Sequence, residues 1–352
     1  MIDTLAAHRS PIVEALERIN REHGEAFGRI NGWGEDLRGR LVSFAGGGKL
    51  VRGSLVAATA DALGSAVDDD VYTVAAALEL IQSFLLIHDD IMDEDPVRRG
   101  MPAIYEQYRR YAHENGYRAA ERFGESMGIC GGDVAALMAI SAIAATSIAP
   151  DQRVRLMKLM TDEIAKVGVA QMADVANGHS PHAASEEAIL SVYRYKTGRY
   201  TFSLPLMLGA ILAGADDATI DALSDWGELE GVIFQIRDDH LGVMEETNEI
   251  GKPAGSDITA NKQTLHRLYL LDRLADTRWA DVAGYFGHAH LSANQIARVR
   301  EALRETGTIA TLDELVARLR READSVLAGV DLPQTARSAF AAIDAYNATR
   351  SK

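Results

Sequence analysis

Helical periodicity runs almost from end to end of this chain, and it limits the possible folds more than any other feature. Apolar residues recur at three- and four-residue spacing over 8–28, 50–64, 71–94, 117–147, 151–178, 186–198, 201–213, 217–246, 261–272, 291–305, 311–327 and 333–349. No stretch alternates as a half-buried strand would. Only eight prolines interrupt a sequence rich in Ala and Leu, so long helices are expected rather than sheets. The fold class is therefore all-α, a helical bundle. At about 150 residues per domain the 352 residues would suggest two domains. No linker or compositional break divides them, however, and long helices can bury one large core, so a single domain over 1–352 is expected.

The lone Cys130 excludes an internal disulfide framework. The N-terminal MIDTLAAHRSPIVEALERIN lacks the apolar core of a signal peptide. The most apolar helical segment, around 134–149, is too short after Asp133 to span a bilayer. A cytoplasmic protein without stable membrane insertion is expected. The net charge of −15 argues against nucleic acid as a partner, since that role needs a basic face.

Aspartates occur in two settings. Asp68-Asp69-Asp70 and Asp216-Asp217 lie just ahead of helices, where carboxylates cap free N–H groups and suit the positive dipole end. Asp89-Asp90 and Asp238-Asp239 instead end the apolar runs LELIQSFLLIHDD and GVIFQIRDD, where the dipole disfavours anions and favours cations. Asp89 and Asp93 are four apart and share a helical face. Taken alone, the first cluster suits either a hard divalent cation such as magnesium or a solvated acidic helix end neutralised by Arg98 and Arg99. The second cluster, equally deep in an apolar helix, favours metal.

Basic residues gather near the turn signals. GGGKLVRG places Lys49 and Arg52 after a glycine turn, three apart and on one helical face, as a phosphate cradle requires. Arg98-Arg99-Gly100 follows the first acidic cluster, Lys196-Thr197-Gly198 ends a helix, and GKPAGSDITANKQT brings Lys252 and Lys262 after the second cluster. The composite suits a di- or triphosphate held through magnesium on one side and Lys/Arg on the other. There is no Walker-type glycine loop, nor a strand to precede one, which disfavours a nucleotide triphosphatase.

At these residues the chain resembles the trans-isoprenyl diphosphate synthases, the polyprenyl synthetase family, and most closely its geranylgeranyl diphosphate synthases. GGGKLVRG resembles GGKxxRP with Gly53 for proline, and HDDIMDEDPVRRGMPAIY resembles the first aspartate-rich motif and its RRGxPT with Ala103 for threonine. ICGGDV resembles LAGD, VAQMAD resembles GQxxD with Ala170 for glycine and Gln171 and Asp174 retained, and YKTG matches. FQIRDDHLG resembles FQIxDDxLD, and GKPAGSDITANKQT resembles GKPxGxDxxxxKxT.

The resemblance implies an isoprenoid synthase-type bundle around a central cavity, with the aspartate motifs facing each other at its mouth, and a homodimer. It also implies a transferase that condenses isopentenyl diphosphate with an allylic prenyl diphosphate. Asp89, Asp93 and Asp238 would hold three magnesium ions. Arg98, Lys196 and Lys252 would grip the allylic diphosphate, with Lys262 adding charge nearby. Lys49, Arg52 and Arg99 would bind isopentenyl diphosphate, and Gln82 stands where many relatives use histidine for the same task. Thr197, Gln235 and the Lys196 main chain would point dipoles at the carbocation. No protein nucleophile is needed, and none is evident.

Gly242 departs from the family, replacing the last aspartate of the second motif; Asp238 is expected to suffice, with water filling the gap. Phe84, the fifth residue before Asp89, would floor the cavity about 7.5 Å lower on its helix, or else be an ordinary core residue. In relatives of this form an aromatic there stops growth near twenty carbons, and farnesyl producers add a second aromatic where this chain has Leu85. Geranylgeranyl diphosphate is thus the expected product, ahead of farnesyl and longer polyprenyl diphosphates. A class I terpene cyclase, echoed by Asp239, Gly242 and Glu246, would have no use for Lys49, Arg52 and Arg99. A non-catalytic synthase subunit would have lost the aspartates.

Overall fold

The computed structural model describes residues 3–180, 182–244, 255–275, 277–288 and 290–349. Helices α1 (Asp3–Ala6), α2 (Arg9–Gly28), α3 (Gly32–Gly46), α4 (Val51–Ala62) and α5 (Asp69–Met92) lead into a hairpin of two short strands, β1 (Val97–Arg98) and β2 (Met101–Pro102). Helices α6 (Ile104–Glu114), α7 (Ala120–Ala144), α8 (Pro150–His179) and α9 (Glu186–Val192) follow. A π-helical segment, Tyr193–Ser203, joins α9 to α10 (Leu204–Leu212). Next come α11 (Asp217–Met244), α12 (Ser256–Thr259), α13 (Leu265–Arg273), a 3-10 turn at Ala280–Tyr285, α14 (Ala293–Glu305), α15 (Thr308–Ala328) and α16 (Gln334–Thr349). The all-α expectation holds. Lys252 and Glu246 lie outside the described residues.

Packing divides the chain into two compact units. The first holds Met1–Thr161, Pro205–Asp216 and Pro333–Ala339, the second Asp162–Leu204, Asp217–Leu332 and Phe340–Lys352. In the first, α5 is the spine and packs on α2, α4 and α7. Its buried run from Val74 to Leu78 explains its apolar composition. Asp68 caps it as expected, its side chain accepting from the N–H groups of Asp70 and Val71 at 3.0 and 3.1 Å. In the second unit α11 is the spine and packs on the π-helical segment and α15.

Apart from the four-residue α1 and α12, two helices were not legible in the sequence pattern, α3 and α6. Four glycines lie in α3, and its helix propensity is poor. The Asn31 side chain caps it by accepting from Trp33 N–H, and tertiary contact does the rest. Trp33 meets Tyr108 and Tyr111 of α6 edge-on, at 6.3 and 5.5 Å between ring centres, and the Arg40 guanidinium lies 4.4 Å over Tyr108.

A third difference concerns Lys196-Thr197-Gly198, which does not end a helix. The chain continues through it as the π-helical segment. Gly198 is pressed against Gly231 of α11 so closely that a Cβ on Gly231 would lie 2.0 Å from the Gly198 Cα. Glycine at 198 therefore marks a backbone contact rather than a stop.

The sequence expectation of no bilayer-length apolar segment also needs correction. By length and composition alone α5 and α7 could each cross a membrane, because the apolar stretch of α7 begins well before Asp133. The apolar window of α5 is 67% buried inside the protein, as befits a core helix.

One buried carboxyl in α11 makes stability depend on pH. Glu230 is fully buried, accepts from Asn347 Nδ2 at 2.7 Å, and is pushed up to about 8 by loss of hydration. The native state keeps a proton that the unfolded chain releases near 4.5. Stability should therefore fall as pH rises from there through about 8. Glu230→Gln keeps an acceptor for Asn347 and removes the charge. The variant should gain on the order of 2 kcal/mol at pH 8 and melt like the parent below pH 4.5, as read by melting curves across pH.

Candidate active site

The first acidic cluster lies at the C-terminal end of α5, where the helix leaves the core. Asp89 is half-buried, Asp90 fully buried and Asp93 exposed. Successive helical residues point about 100° apart, so the edge of the buried face falls between the paired aspartates. Arg98 closes over them. Its Nε donates to Asp90 Oδ1 at 2.6 Å, and its Nη2 lies 3.6 Å from both Asp89 and Asp95. Burial raises the Asp90 carboxyl to about 6 despite Arg98. Asp90 Oδ2 is buried and has no hydrogen-bond partner among the described residues.

Arg99, next in sequence, goes elsewhere. Arg99 and Gly100 form a two-residue hairpin loop with φ of 54° and 75°, the left-handed pair of a type I′ turn. The turn carries the Arg99 guanidinium to the glycine loop after α3. There Nη1 donates to Phe44 O at 3.0 Å, and a Cβ on Gly48 would lie 2.7 Å from the guanidinium carbon. Arg9, which sequence reasoning missed, steadies that loop by donating to Gly46 O and Gly48 O at 3.2 and 3.4 Å.

Lys49 is exposed just ahead of α4, and Arg52 is half-buried in the first turn. The two do not share a helical face as expected, because Leu50 between them is left-handed (φ 52°) and α4 begins only at Val51. Beneath this basic patch Glu79 of α5 is buried and accepts from Gly53 N–H at 2.8 Å. Burial pushes Glu79 up, while Arg52 and Arg99 oppose that shift. The departure at Gly53 thus has a physical reason: proline has no N–H to give Glu79. Gln82 is buried one turn further along α5.

The second unit repeats the arrangement of the first cluster. Asp238 is half-buried, whereas Asp239 is fully buried. Asp239 accepts from Lys262 Nζ at 2.9 Å, from Gln235 Nε2 at 2.8 Å and from the Tyr193 hydroxyl. Tyr193 was not singled out by sequence, although it stands three residues before Lys196. Thr197 Oγ1 donates to Gln235 Oε1 at 2.8 Å, and Lys196 Nζ reaches Asp174 Oδ2 of α8 at 2.6 Å. Loss of hydration alone would lower the Lys262 ammonium, but Asp239, Asp257 and Asp238 together raise it above the ordinary lysine value.

Magnesium fits these residues. In each half a half-buried carboxylate faces outward beside a buried one held by a cation. The unsatisfied Asp90 Oδ2 is an acceptor that a metal-bound water would satisfy. Among the described residues no three such groups form a ready-made cage. Magnesium ordinarily keeps waters and shares its coordination with a phosphate, so none is required.

The polyprenyl synthetase family model matches residues 40–303, and the chain belongs to that family, whose members are magnesium-dependent prenyltransferases. Among its relatives is the short chain isoprenyl diphosphate synthase of Methanothermobacter thermautotrophicus, 34% identical over 240 residues, 68% of each chain. Another is the geranylfarnesyl diphosphate synthase of Natronomonas pharaonis, 32% identical over 207 residues, 59% of this chain and 56% of that one. The solved structure of geranylgeranyl pyrophosphate synthase from Corynebacterium glutamicum, complexed with isoprenyl diphosphate and magnesium, superposes with a TM-score of 0.90. It is 29% identical, and the match covers 99% of this chain and 100% of that one. The fold is the isoprenoid synthase type.

Proposed function

We propose that this chain condenses isopentenyl diphosphate with allylic diphosphates, delivers geranylgeranyl diphosphate as its main product, and works as one domain over 1–352. The observation that carries the reading is the division of two adjacent arginines. Arg98 turns to the acidic cluster and Arg99 to the glycine loop near Lys49 and Arg52. One unit thereby offers two charged subsites of opposite sign, as two diphosphate substrates require. A cyclase has a single diphosphate to hold.

In this reading Asp89, Asp93 and Asp238 hold three magnesium ions. When bound, these supply positive charge to the departing diphosphate. Arg98, Lys196, Lys252 and Lys262 bind the allylic diphosphate. Lys49, Arg52, Arg99 and Gln82 bind that of isopentenyl diphosphate. The chain of donors from Thr197 through Gln235 to Asp239 points the Thr197 hydroxyl proton at Gln235. Its lone pairs are thereby left for the developing carbocation. The proton lost after condensation goes to the released pyrophosphate, so no protein base is needed.

Phe84 supports the chain-length assignment. It is only half-buried on α5 between the buried Ser83 and Ile87, and its ring meets His88 edge-on at 4.8 Å. Leu85 is likewise half-buried. Phe84→Ala should lengthen the products by one or more five-carbon units, read by chromatography after dephosphorylation. An unchanged distribution would put the floor elsewhere. The geranylfarnesyl relative makes a longer product the second reading.

A homodimer in the cytoplasm completes the proposal. Leu137 and Ile129 on α7 are 71% and 38% exposed, an apolar surface that a second copy would cover. Purified protein given magnesium, isopentenyl diphosphate and each allylic starter should yield a twenty-carbon diphosphate. Consumption of a prenyl diphosphate without isopentenyl incorporation would mean a cyclase, and no turnover a partner subunit.

A further inference from the structure

Four consecutive residues of the π-helical segment are each tied to a neighbouring helix of the second unit. Lys196 reaches Asp174 on α8, Thr197 reaches Gln235 on α11, and Gly198 is pressed against Gly231 on α11. Arg199 completes the set and grips both helices. Its Nε and Nη2 donate to Glu163 Oε2 and Oε1 of α8 at 2.8 Å each, and its Nη1 donates to Glu228 Oε2 of α11 at 3.1 Å. Glu228, Gly231 and Gln235 follow the spacing of one face of α11. Glu163 and Asp174 are about three turns apart on α8, and so lie on one face of that helix as well.

The two ends of this anchorage differ. The Asp174 side chain is 36% exposed, so Lys196 can turn from it to a ligand, whereas that of Glu163 is only 3% exposed. A two-pronged contact from a planar guanidinium fixes direction as well as distance. Its neighbours are cationic too: Lys166 Nζ is 2.7 Å from Glu163 Oε1, and Arg194 Nε is 3.6 Å from Glu228 Oε1. Only Arg199, however, joins the two carboxylates. π-helical turns are rare, so packing must hold this one. Relaxation of the segment to α-helical pitch would shift it by a residue, and one residue turns a helical side chain by about 100°. Lys196 and Thr197 would then face elsewhere.

We propose that Arg199, clamped to Glu163, is a positioning residue for the allylic diphosphate site: it holds the π-helical register that places Lys196 and Thr197. The inference rests on the functional reading above, in which those two residues serve the allylic substrate. Arg199 acts through them and does not itself touch substrate.

Steady-state kinetics of the full-length protein in excess magnesium, with each substrate varied in turn, test the assignment. If the parent does not incorporate isopentenyl diphosphate, the functional reading fails and this inference with it. Arg199→Gln should raise the Michaelis constant for the allylic diphosphate about ten-fold or more. That for isopentenyl diphosphate should stay within about two-fold of the parent, since Lys49, Arg52 and Arg99 belong to the first unit. Arg199→Lys keeps a cation in the buried site but not the fork, and serves if the glutamine variant does not fold. It should show the same split, with a rise of about three-fold or more for the allylic substrate. Glu163→Gln should match Arg199→Gln, and the double variant should be no worse than either single one. Lys166→Gln leaves the clamp intact and should change neither constant. A purely structural role would lower the melting midpoint and turnover while leaving both Michaelis constants unchanged. That result in Arg199→Lys and Glu163→Gln, an equal rise for both substrates, or an allylic effect of Lys166→Gln as large as theirs would overturn the assignment.

Discussion

Replacing Asp89 or Asp93 by alanine is expected to lower turnover by about a hundred-fold or more, the scale on which lost stabilisation of a departing charge is felt. The two substitutions should differ in their side effects. Asp93 is exposed at the C-cap of α5, so its loss should leave the melting midpoint unchanged. Asp89 is half-buried beside Arg98, and its loss removes one of the carboxylates around that guanidinium. The aspartates at the other end of the same helix are the control. Asp68→Ala removes a cap worth about 1 kcal/mol and should lower the melting midpoint with turnover intact, while Asp69→Ala should change little. Magnesium-dependent substrate binding, followed by titration calorimetry, should fall with Asp89→Ala alone among the half-buried and capping positions compared. Equal losses of turnover at all four sites would refute the division of the aspartates into metal-binding and capping sets.

Arg52→Ala should raise the Michaelis constant for isopentenyl diphosphate ten-fold or more, since a charge-assisted contact contributes about 1.5–3 kcal/mol. The allylic substrate should be little affected. Arg52 also helps offset the charge of the buried Glu79, so part of the effect of its removal would be structural. Lys49→Ala separates the two contributions. Lys49 is exposed, and its variant should show the kinetic change without a fall in melting temperature. Untouched isopentenyl kinetics in both variants would remove the basic patch from the substrate site.

What could be read in advance follows from the range of the forces involved. The 3.6-residue period, the i,i+4 spacing of Asp89 and Asp93, and the capping place of Asp68 are local properties, set by a few neighbouring residues. They gave the fold class and the acidic motifs directly. Helices α3 and α6 escaped because their stability comes from aromatic contacts such as Trp33 with Tyr108, 75 residues apart, rather than from propensity. The π-helical passage through Gly198 escaped for the same reason, since its cause is Gly231 on another helix.

The sequence alone determined that paired aspartates lie in the C-terminal part of two apolar helices and that arginines and lysines follow them. Only the tertiary structure decided which member of each pair is buried, because that depends on which side of α5 or α11 its neighbours cover. It also decided that Arg98 and Arg99 part company at a left-handed turn. Spacing along a chain specifies a helical face, but the charges that share a site are chosen by packing between residues far apart in sequence.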